Sequence, residues 1–579
     1  MSSLAAFSIF VLVAVVAPGI ALQRLLRVRV EPALVLPLGL VACASLHWLS
    51  LVAAAWLFPV GLAALVVPAL ASRRRSPEVG VADPSDWRAA LLAAAALVAF
   101  LAVSVYSFNR VRSDGGFALD PIERIDTAFQ VGLAWELSHS YPPQVPGLSG
   151  HVLSYHFGQH LVRAAAVRWA GLAPYDLLTR FDVTLCGLAL VLAWRALVRG
   201  LGGRGLAVAL AGLAPLLGDG SFVAGWLSGA DWWTDLFSSN LHLSLAFGNT
   251  LVPALALVAA ALVAFSRHEA EGRPGDLALA ALLAAAVPQF KVFVAAQWLA
   301  GLALAYVVVR RRALLALIGP LGLGTLAMLA GSGGQATQIE LAPLAPVLRT
   351  AQSLGWALDT PLALGLSAWA WIVSALGLRA VGLPELLHAL RSARALPVTL
   401  AGAALAGLLP GLLLRITIEG EGADYNESVY FITVSAALLW LFTLLRLERW
   451  ALAGRGALAA AAIALLALPV PAQFLWRKWR TPAETVPAAI VRVVARLAAE
   501  GRPGDVIVSP PSPRWPPPPM VLIGRRSPLA RSLPYLSQYV PRAAFERRRD
   551  EVRAIADYRN SVIAFDRVQE AGLGGGVIQ

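Results

Sequence analysis

The stretch that decides the fold is 251–309, LVPALALVAAALVAFSRHEAEGRPGDLALAALLAAAVPQFKVFVAAQWLAGLALAYVVV. It contains most of one apolar run, at 250–266, and the whole of two more, at 277–289 and 292–309. A short charged turn separates the first run from the second. A helix needs about 20 mostly apolar residues to cross a bilayer, and the outer two runs approach that length. The pattern predicts membrane-spanning helices joined by short turns.

The remaining sequence repeats this pattern over most of the 579-residue chain. Hydrophobic residues make up 58% of the chain, charged residues make up 14%, and the mean hydropathy is +0.69. A soluble globular protein has about 45–50% apolar and about 25% charged residues. The composition therefore excludes an ordinary soluble enzyme and a disordered or fibrous protein. We predict an all-α polytopic membrane protein with about 14 spans within residues 1–475.

The net charge of +13 divides into a topology signal and a basic tail. Of the 47 basic residues, 21 are arginines in short loops, for example at 73–75 and 310–312. Most acids outside the tail lie in the other loops, at 108–180, 219–249, 331–359 and 415–427. Because short cytoplasmic loops are enriched in Arg and Lys, the acidic loops are predicted to face outward from a bacterial inner membrane. Neither part of the charge requires a nucleic-acid partner.

The tail, residues 476–579, is predicted to be a small soluble α/β domain on the outer side. It holds 17 basic residues. Its patterns predict a helix at 486–499, short strands at 506–508 and 520–523, and a charged surface helix at 542–558. The chain has two cysteines, both in apolar runs, so no disulfide framework is available.

The loop at 108–180 carries the strongest functional signal, in the stretch 114–163, DGGFALDPIERIDTAFQVGLAWELSHSYPPQVPGLSGHVLSYHFGQHLVR. Residues 122–138 are predicted to form an amphipathic helix, with Asp126 beside an apolar face that includes Phe129 and Leu133. A Pro- and Gly-rich turn follows. A second helix, predicted at 151–169, would place His156 and His160 one turn apart on one face.

This loop resembles the first outer loop of GT-C membrane glycosyltransferases, in the branch of protein mannosyltransferases and the lipid A aminoarabinose transferase. Asp126 stands at the position of the acidic residue of that family, before an amphipathic helix and a Pro-rich turn. Tyr155 and His156 stand roughly where a Tyr-His-like element follows in the loop of that family. The resemblance implies an enzyme of the outer face. It would transfer a sugar from a polyprenyl-phosphate carrier to an envelope lipid, polysaccharide or protein.

That chemistry needs a base for the acceptor and cationic groups for the leaving phosphate. Asp126 is the predicted catalytic base, and the alternatives are Asp120, which could instead cap a helix, and Glu123, which could be first-turn helix charge. The residues predicted to contact the donor phosphate are Tyr155, His156, His160, Lys291 and Arg415. The weaker candidates for sugar or acceptor contacts are Trp232, Trp233, Glu427 and Tyr430.

Several alternatives stay open from sequence. No cofactor is fixed, and the two histidines could bind a divalent metal or only form hydrogen bonds. Lys291 could be functional, or it could extend its ammonium to the outer interface. Two other functions fit the class: an envelope polysaccharide polymerase or ligase, and a lipid or solute transporter. A transporter predicts ionisable residues within the spans and broken helices, whereas the sequence predicts spans that are nearly free of charge.

Overall fold

The computed structural model describes residues 2–71, 84–121, 125–228, 240–331, 337–353, 355, 360–418, 428–454, 456–502, 505–507, 522–524, 526, 540 and 542–556. Within these ranges ten helices are long and apolar enough to cross a membrane, or up to twelve if each of two bent pairs is one span. The prediction of an all-α, multi-pass membrane protein is confirmed at this level. The predicted number of about 14 spans stays a prediction.

The ten long apolar helices are Ser3–Leu25, Pro32–Val52, Trp87–Tyr106, Pro174–Gly200, Leu251–Glu271, Val292–Val309, Arg312–Ala330, Ala395–Leu413, Val429–Leu452 and Leu458–Arg480. The two bent pairs are Gly205–Ala211 with Ala214–Val223, and Pro361–Ala375 with Gly377–Leu390, which bend by 52° and 75°. Two shorter apolar helices are Leu57–Ala71 and Pro274–Phe290. Other helices are Ile125–His139, Gly158–Ala170, Ser221–Ser228, Leu241–Ala246 and Ala345–Ser353.

The helix Leu251–Glu271 lies at the centre of the bundle, and every residue from 251 to 265 is buried. It packs against Pro174–Gly200 and Pro274–Phe290. The helices Val292–Val309 and Ala395–Leu413 also approach closely. A Cβ on Gly301 would collide with the backbone of Thr399, so this approach requires glycine. Large apolar side chains on outer helices, such as Leu323 and Leu458, are exposed, as a lipid-facing surface requires.

The described residues include seven short strands, and one sheet among them joins the tail to the loop at 108–180. The strands are β1 (Arg110–Val111), β2 (Phe117–Leu119), β3 (Gln144–Val145), β4 (Leu148–Val152), β5 (Thr337–Leu341), β6 (Leu414–Ile418) and β7 (Glu484–Val486). The tail strand β7 pairs antiparallel with the loop strand β2, with Thr485 opposite Ala118. The tail therefore begins on the same side of the bundle as this loop.

The tail partly matches its predicted elements. Helices lie at Ala488–Glu500 and Arg542–Ala556, where the sequence predicts them. Val506 forms one isolated parallel bridge with Arg526, so the described part of the predicted strand at 506–508 is a single bridge. Leu522 and Ile523 are helical, so a strand at 520–523 is wrong for these two residues. The last long helix continues to Arg480, five residues beyond the predicted domain boundary.

Candidate functional site

The first loop helix, Ile125–His139, carries Asp126 in its first turn. Phe129, Leu133 and Leu137 are buried, so the predicted helix is confirmed with these positions packed inward. Residues 127–128, 131–132 and 134 are buried too, so the helix is covered on more than one face, and its amphipathic character stays a prediction. The Asp126 carboxylate is half-buried. It lies one helical turn before Gln130, whose amide contacts Arg163 of the second loop helix and the carbonyl of Phe247, just before the span at 251–271. Asp126 therefore lies at the edge of a buried polar region.

The second loop helix begins later than predicted, at Gly158 instead of 151. Residues 148–152 form β4 and pair with β3, and Gly150 takes a φ of +87°, which a helix does not allow. His156 therefore precedes the helix, and the prediction that it shares one helical face with His160 is wrong. Both imidazoles still meet at Tyr155, whose ring centroid lies 3.8 Å from that of His156 and 5.8 Å from that of His160.

Lys291 lies between the helices Pro274–Phe290 and Val292–Val309, in an extended conformation. It is only 5% exposed, so the interpretation of a lysine reaching out to the interface is wrong. Its ammonium lies 4.2 Å from the ring centroid of Tyr430 and 5.8 Å from that of Phe293. Aromatic faces attract cations at such distances, and they help to accommodate this buried charge.

The charge of Lys291 reaches both histidines. Burial above all, then the nearby Lys291, holds the pKa of His156 well below its ordinary value of 6.5. Burial, then the charges of Arg163 and Lys291, lowers the pKa of His160 in the same way. A group whose charged form is disfavoured by both desolvation and like charge stays neutral. Both imidazoles are therefore neutral at neutral pH.

Sequence reasoning missed Arg163, which is buried in the second loop helix. Its guanidinium forms an ion pair with the buried Asp182, at 2.6 Å, near the start of the following span. It also donates hydrogen bonds to Gln130 Oε1, at 2.6 Å, and to His160 Nδ1, at 3.3 Å. We call His156, His160, Arg163, Asp182 and Lys291 the loop cluster. The sequence signal for this pair was Asp182, an acid at the start of an apolar span. Ionisable residues in such spans are often functional.

The turn at 247–250 holds the loop cluster to the bundle, and it too was missed. Thr250 Oγ1 lies 2.9 Å from His156 Nε2, and the carbonyl of Gly248 accepts a hydrogen bond from Arg163. Asn249 Nδ2 donates to the hydroxyl of Tyr430, at 3.4 Å. Gly248 has a φ of +63°, which favours glycine. The polar residues just before the span at 251–271 were the sequence signal for this turn.

Asp120 has a different setting from Asp126. Its buried carboxylate forms an ion pair with Lys478, near the end of the last long helix. The Lys478 ammonium also lies 5.8 Å from the ring of Phe247, which belongs to the same turn. Asp120 therefore links the loop to the beginning of the tail.

The other predicted site residues are placed as follows. Tyr430 lies beside Lys291, as described above. Arg415 lies on β6, which pairs antiparallel with β5, and it is opposite Glu340. Glu123, Trp232, Trp233 and Glu427 lie outside the described residues. Within the described ranges no group of three or more His, Cys, Asp or Glu residues is arranged to hold a metal ion.

A second buried polar group lies where the two bent helix pairs meet. The guanidinium of Arg379 lies 3.6 Å from the Asp219 carboxylate and donates a hydrogen bond to Asn240 Oδ1, at 2.6 Å. His242, also buried, lies nearby and packs against Phe474. We call Asp219, Asn240, His242 and Arg379 the bend cluster. Arg379 is one of the 21 arginines counted above in short loops, but it is buried at a bend of an apolar helix pair. The prediction that the spans are nearly free of charge is therefore wrong for this pair.

A comparison with protein-family models and with curated proteins finds no match to this chain. The indication of a function therefore comes from the chemical groups of the loop cluster. It combines a buried ammonium and two neutral imidazoles, with a half-buried carboxylate on the neighbouring helix.

Proposed function

We propose that the protein is a membrane glycosyltransferase that takes a sugar from a polyprenyl-phosphate carrier and transfers it to an envelope acceptor on the outer face. One observation carries the proposal: Lys291, His156 and His160 meet beside the loop helix that carries Asp126. Such a site offers a cation and hydrogen bonds to a leaving phosphate, and the adjoining helix carries a carboxylate.

The donor phosphate would bind at the loop cluster. An ammonium attracts the phosphate charge, and neutral imidazoles can donate one N–H each. Because these groups are buried, their interaction with an anion is screened less than at an exposed surface. Tyr155 and Tyr430 adjoin the same histidines and lysine. The carrier's hydrocarbon chain would lie in the membrane beside the helices that end here.

Asp126 would act as the base that removes the proton from the acceptor. Partial burial raises the basicity of a carboxylate, because it disfavours the charged form. Asp120 is the weaker choice, since its carboxylate is buried against Lys478. The acceptor class, whether lipid, polysaccharide or protein, stays open in this proposal.

The direct test is sugar transfer by the purified protein in nanodiscs, with a panel of polyprenyl-phosphate sugars and an extract of envelope acceptors. General-base catalysis contributes about 10²–10⁴-fold to a rate, so Asp126→Asn should lower turnover by at least about 100-fold. Asp114→Asn is the matched control, because Asp114 lies in the same loop but is exposed and pairs with Arg112. Equal turnover in wild type and Asp126→Asn would remove Asp126 as the base, and no turnover with any donor would count against the transferase.

A lipid or solute transporter is the second candidate, and the bend cluster is the observation that favours it. Bent or broken helices with buried ionisable residues are typical of transporter binding sites. The test is movement of a fluorescent phospholipid between leaflets in proteoliposomes. Movement by wild type without any sugar transfer, and lost in the fraction of Asp219→Asn that remains folded, would favour the transporter.

A further inference from the structure

The side of His160 that faces away from Arg163 is available to a ligand. His160 is 1% exposed, and its Nδ1 lies 3.3 Å from Arg163. Across the ranges that the structure describes, no protein group forms a hydrogen bond with its Nε2. The polar atoms of a buried side chain are normally hydrogen-bonded, to protein, water or a ligand. The Nε2 atom is therefore a place where a bound molecule would supply the missing partner.

The contact with Arg163 determines where the proton of His160 lies. A guanidinium has five N–H donors and no acceptor. The Nδ1 atom must therefore accept this hydrogen bond through its lone pair, and it cannot carry a proton. A neutral imidazole carries one proton, so that proton lies on Nε2. His160 thus presents an N–H group on its unoccupied side.

Arg163 is held firmly enough to impose this choice. Its Nε and Nη2 both donate to Asp182 Oδ2, at 2.8 and 2.6 Å, and Nη2 also donates to the carbonyl of Gly248. Its Nη1 donates to Gln130 Oε1. These partners come from the first loop helix, a span and the turn at 247–250. A planar guanidinium with its donors fixed on three elements cannot rotate to release His160 without losing several charge-assisted hydrogen bonds.

The contrast with His156 makes the assignment specific to His160. Thr250 is the partner of His156 Nε2, and a hydroxyl can either donate or accept. The position of the proton on His156 is therefore not determined by its neighbour. Of these two histidines, His160 is the one with a neighbour that can only donate.

We propose that Arg163 is a positioning residue that fixes His160 as an Nε2–H donor, and that this N–H, with the ammonium of Lys291, binds an oxygen of a lipid-linked phosphate. The inference rests on the proposed function for the identity of the ligand. The chemistry that it names is an anionic oxygen acceptor, since an N–H donor beside a cation selects such a group. A neutral polyprenol, which lacks the phosphate, should not bind in this way.

The first test reads the position of the proton directly. The chain has eight histidines, so ¹⁵N-histidine labelling of the full protein in nanodiscs gives a small set of signals. The His160→Gln variant identifies the signal of His160 by its loss. We expect the neutral Nε2–H tautomer without ligand, and a shift of this signal on addition of undecaprenyl phosphate but not of undecaprenol. A proton on Nδ1, or no shift, would overturn the inference.

The second test measures undecaprenyl phosphate binding in nanodiscs and does not depend on sugar transfer. His160→Leu should bind about tenfold or more weakly, the loss expected for one hydrogen bond to a charged group. His160→Gln places an amide N–H near the position of Nε2 and should stay within about threefold of wild type. His139→Leu is the control, because His139 is an exposed histidine in the same loop. Equal binding by His160→Leu and wild type would reject the role of His160.

The role of Arg163 needs a readout that folding alone does not change. Arg163→Lys keeps a cation for Asp182 but loses the planar fork, so the His160 signal should become a mixture of both tautomers while the protein stays folded. An unchanged signal in a folded variant would reject Arg163 as the positioning residue. If Arg163→Lys does not fold, the wild-type tautomer and the two His160 variants still decide the inference. Binding that follows these rules without any sugar transfer would separate the inference from the transferase.

Discussion

The loop cluster and the bend cluster are both buried, but their charges are arranged differently. In the bend cluster the guanidinium of Arg379 faces the carboxylate of Asp219, and Asn240 completes the contact. In the loop cluster Arg163 and Asp182 form a similar pair, but Lys291 adds a second cation beside two neutral histidines. The bend cluster sets its cation against an acid and an amide, whereas the loop cluster also places an ammonium beside imidazole groups. The comparison indicates that the loop cluster is the one suited to an external anion.

The largest expected effect tests whether the bend cluster supports structure. Asp219→Asn removes the anion that faces Arg379 and should lower the free energy of unfolding by about 3–5 kcal/mol, the usual result of breaking a buried pair. Thermal unfolding in nanodiscs measures this loss. Asp550→Asn, at an exposed acid of the tail, should have almost no effect. The comparison would fail if Asp219→Asn kept its stability but lost ligand binding at the loop cluster.

The next effect concerns the added cation of the loop cluster. Lys291→Met should weaken undecaprenyl phosphate binding by about 10–100-fold, the range for a charged hydrogen bond. Lys478→Met is a matched control, since Lys478 is the other lysine in the chain and is also buried. It should lower stability, because it leaves Asp120 buried, but it should leave binding within about threefold in the folded fraction. Similar losses of binding in both variants would show that Lys291 has no specific role in binding the phosphate.

The sequence predicted the parts of this site that depend on local spacing. The first loop helix follows from the apolar positions Phe129, Leu133 and Leu137, which lie on one face at helical spacing. The start of the second helix was wrong because β3 and β4 form a local hairpin around Pro146 and Gly147, and the helical spacing read from 151 onward did not include that turn. Tertiary pairing also determines the positions that sequence could not supply: Asp182 joins Arg163 across 19 residues, and Lys478 joins Asp120 across 358 residues.

The burial of Lys291 shows the same limit. Its position in an apolar region made it a functional candidate, but burial and exposure at the interface could not be distinguished without its neighbours. The bends of the two helix pairs could not be predicted from the sequence either. The apolar run that contains Pro361–Ala375 is similar to its neighbours in composition, and only packing shows that it meets Asp219 through Arg379.

A smaller effect is the pH dependence of stability that the two neutral histidines cause. The folded protein holds His156 and His160 neutral through lowered pKa values, whereas the unfolded chain protonates them near its ordinary value of 6.5. Above that pH the histidines are neutral in both states and do not affect stability. Below it the unfolded chain binds protons that the folded protein does not, so the free energy of unfolding falls. At one pH unit below 6.5 the loss is about 1.4 kcal/mol for each histidine.

Thermal unfolding from about pH 7.5 to about pH 5.5 measures this dependence. His160→Gln should remove about half of the part that comes from the two loop-cluster histidines. His139→Gln is the control variant, because that histidine is exposed and lies outside the loop cluster. An unfolding temperature that rises as the pH falls would contradict the neutral assignment, since it would mean that the folded state binds protons more tightly.

The smallest expected effect separates the contribution of the Tyr430 ring from that of its hydroxyl. Its ring faces the ammonium of Lys291 at 4.2 Å, and its hydroxyl accepts a long hydrogen bond from Asn249, at 3.4 Å. Tyr430→Phe keeps the aromatic face and should change undecaprenyl phosphate binding by less than about threefold. Tyr430→Leu removes the face and should destabilise the buried ammonium by about 0.5–2 kcal/mol. Part of that loss reaches binding, because Lys291 would no longer be held in place. If Tyr430→Phe instead had the larger effect, the hydroxyl would contact the ligand, and Tyr430 would belong to the sugar or acceptor side of the site.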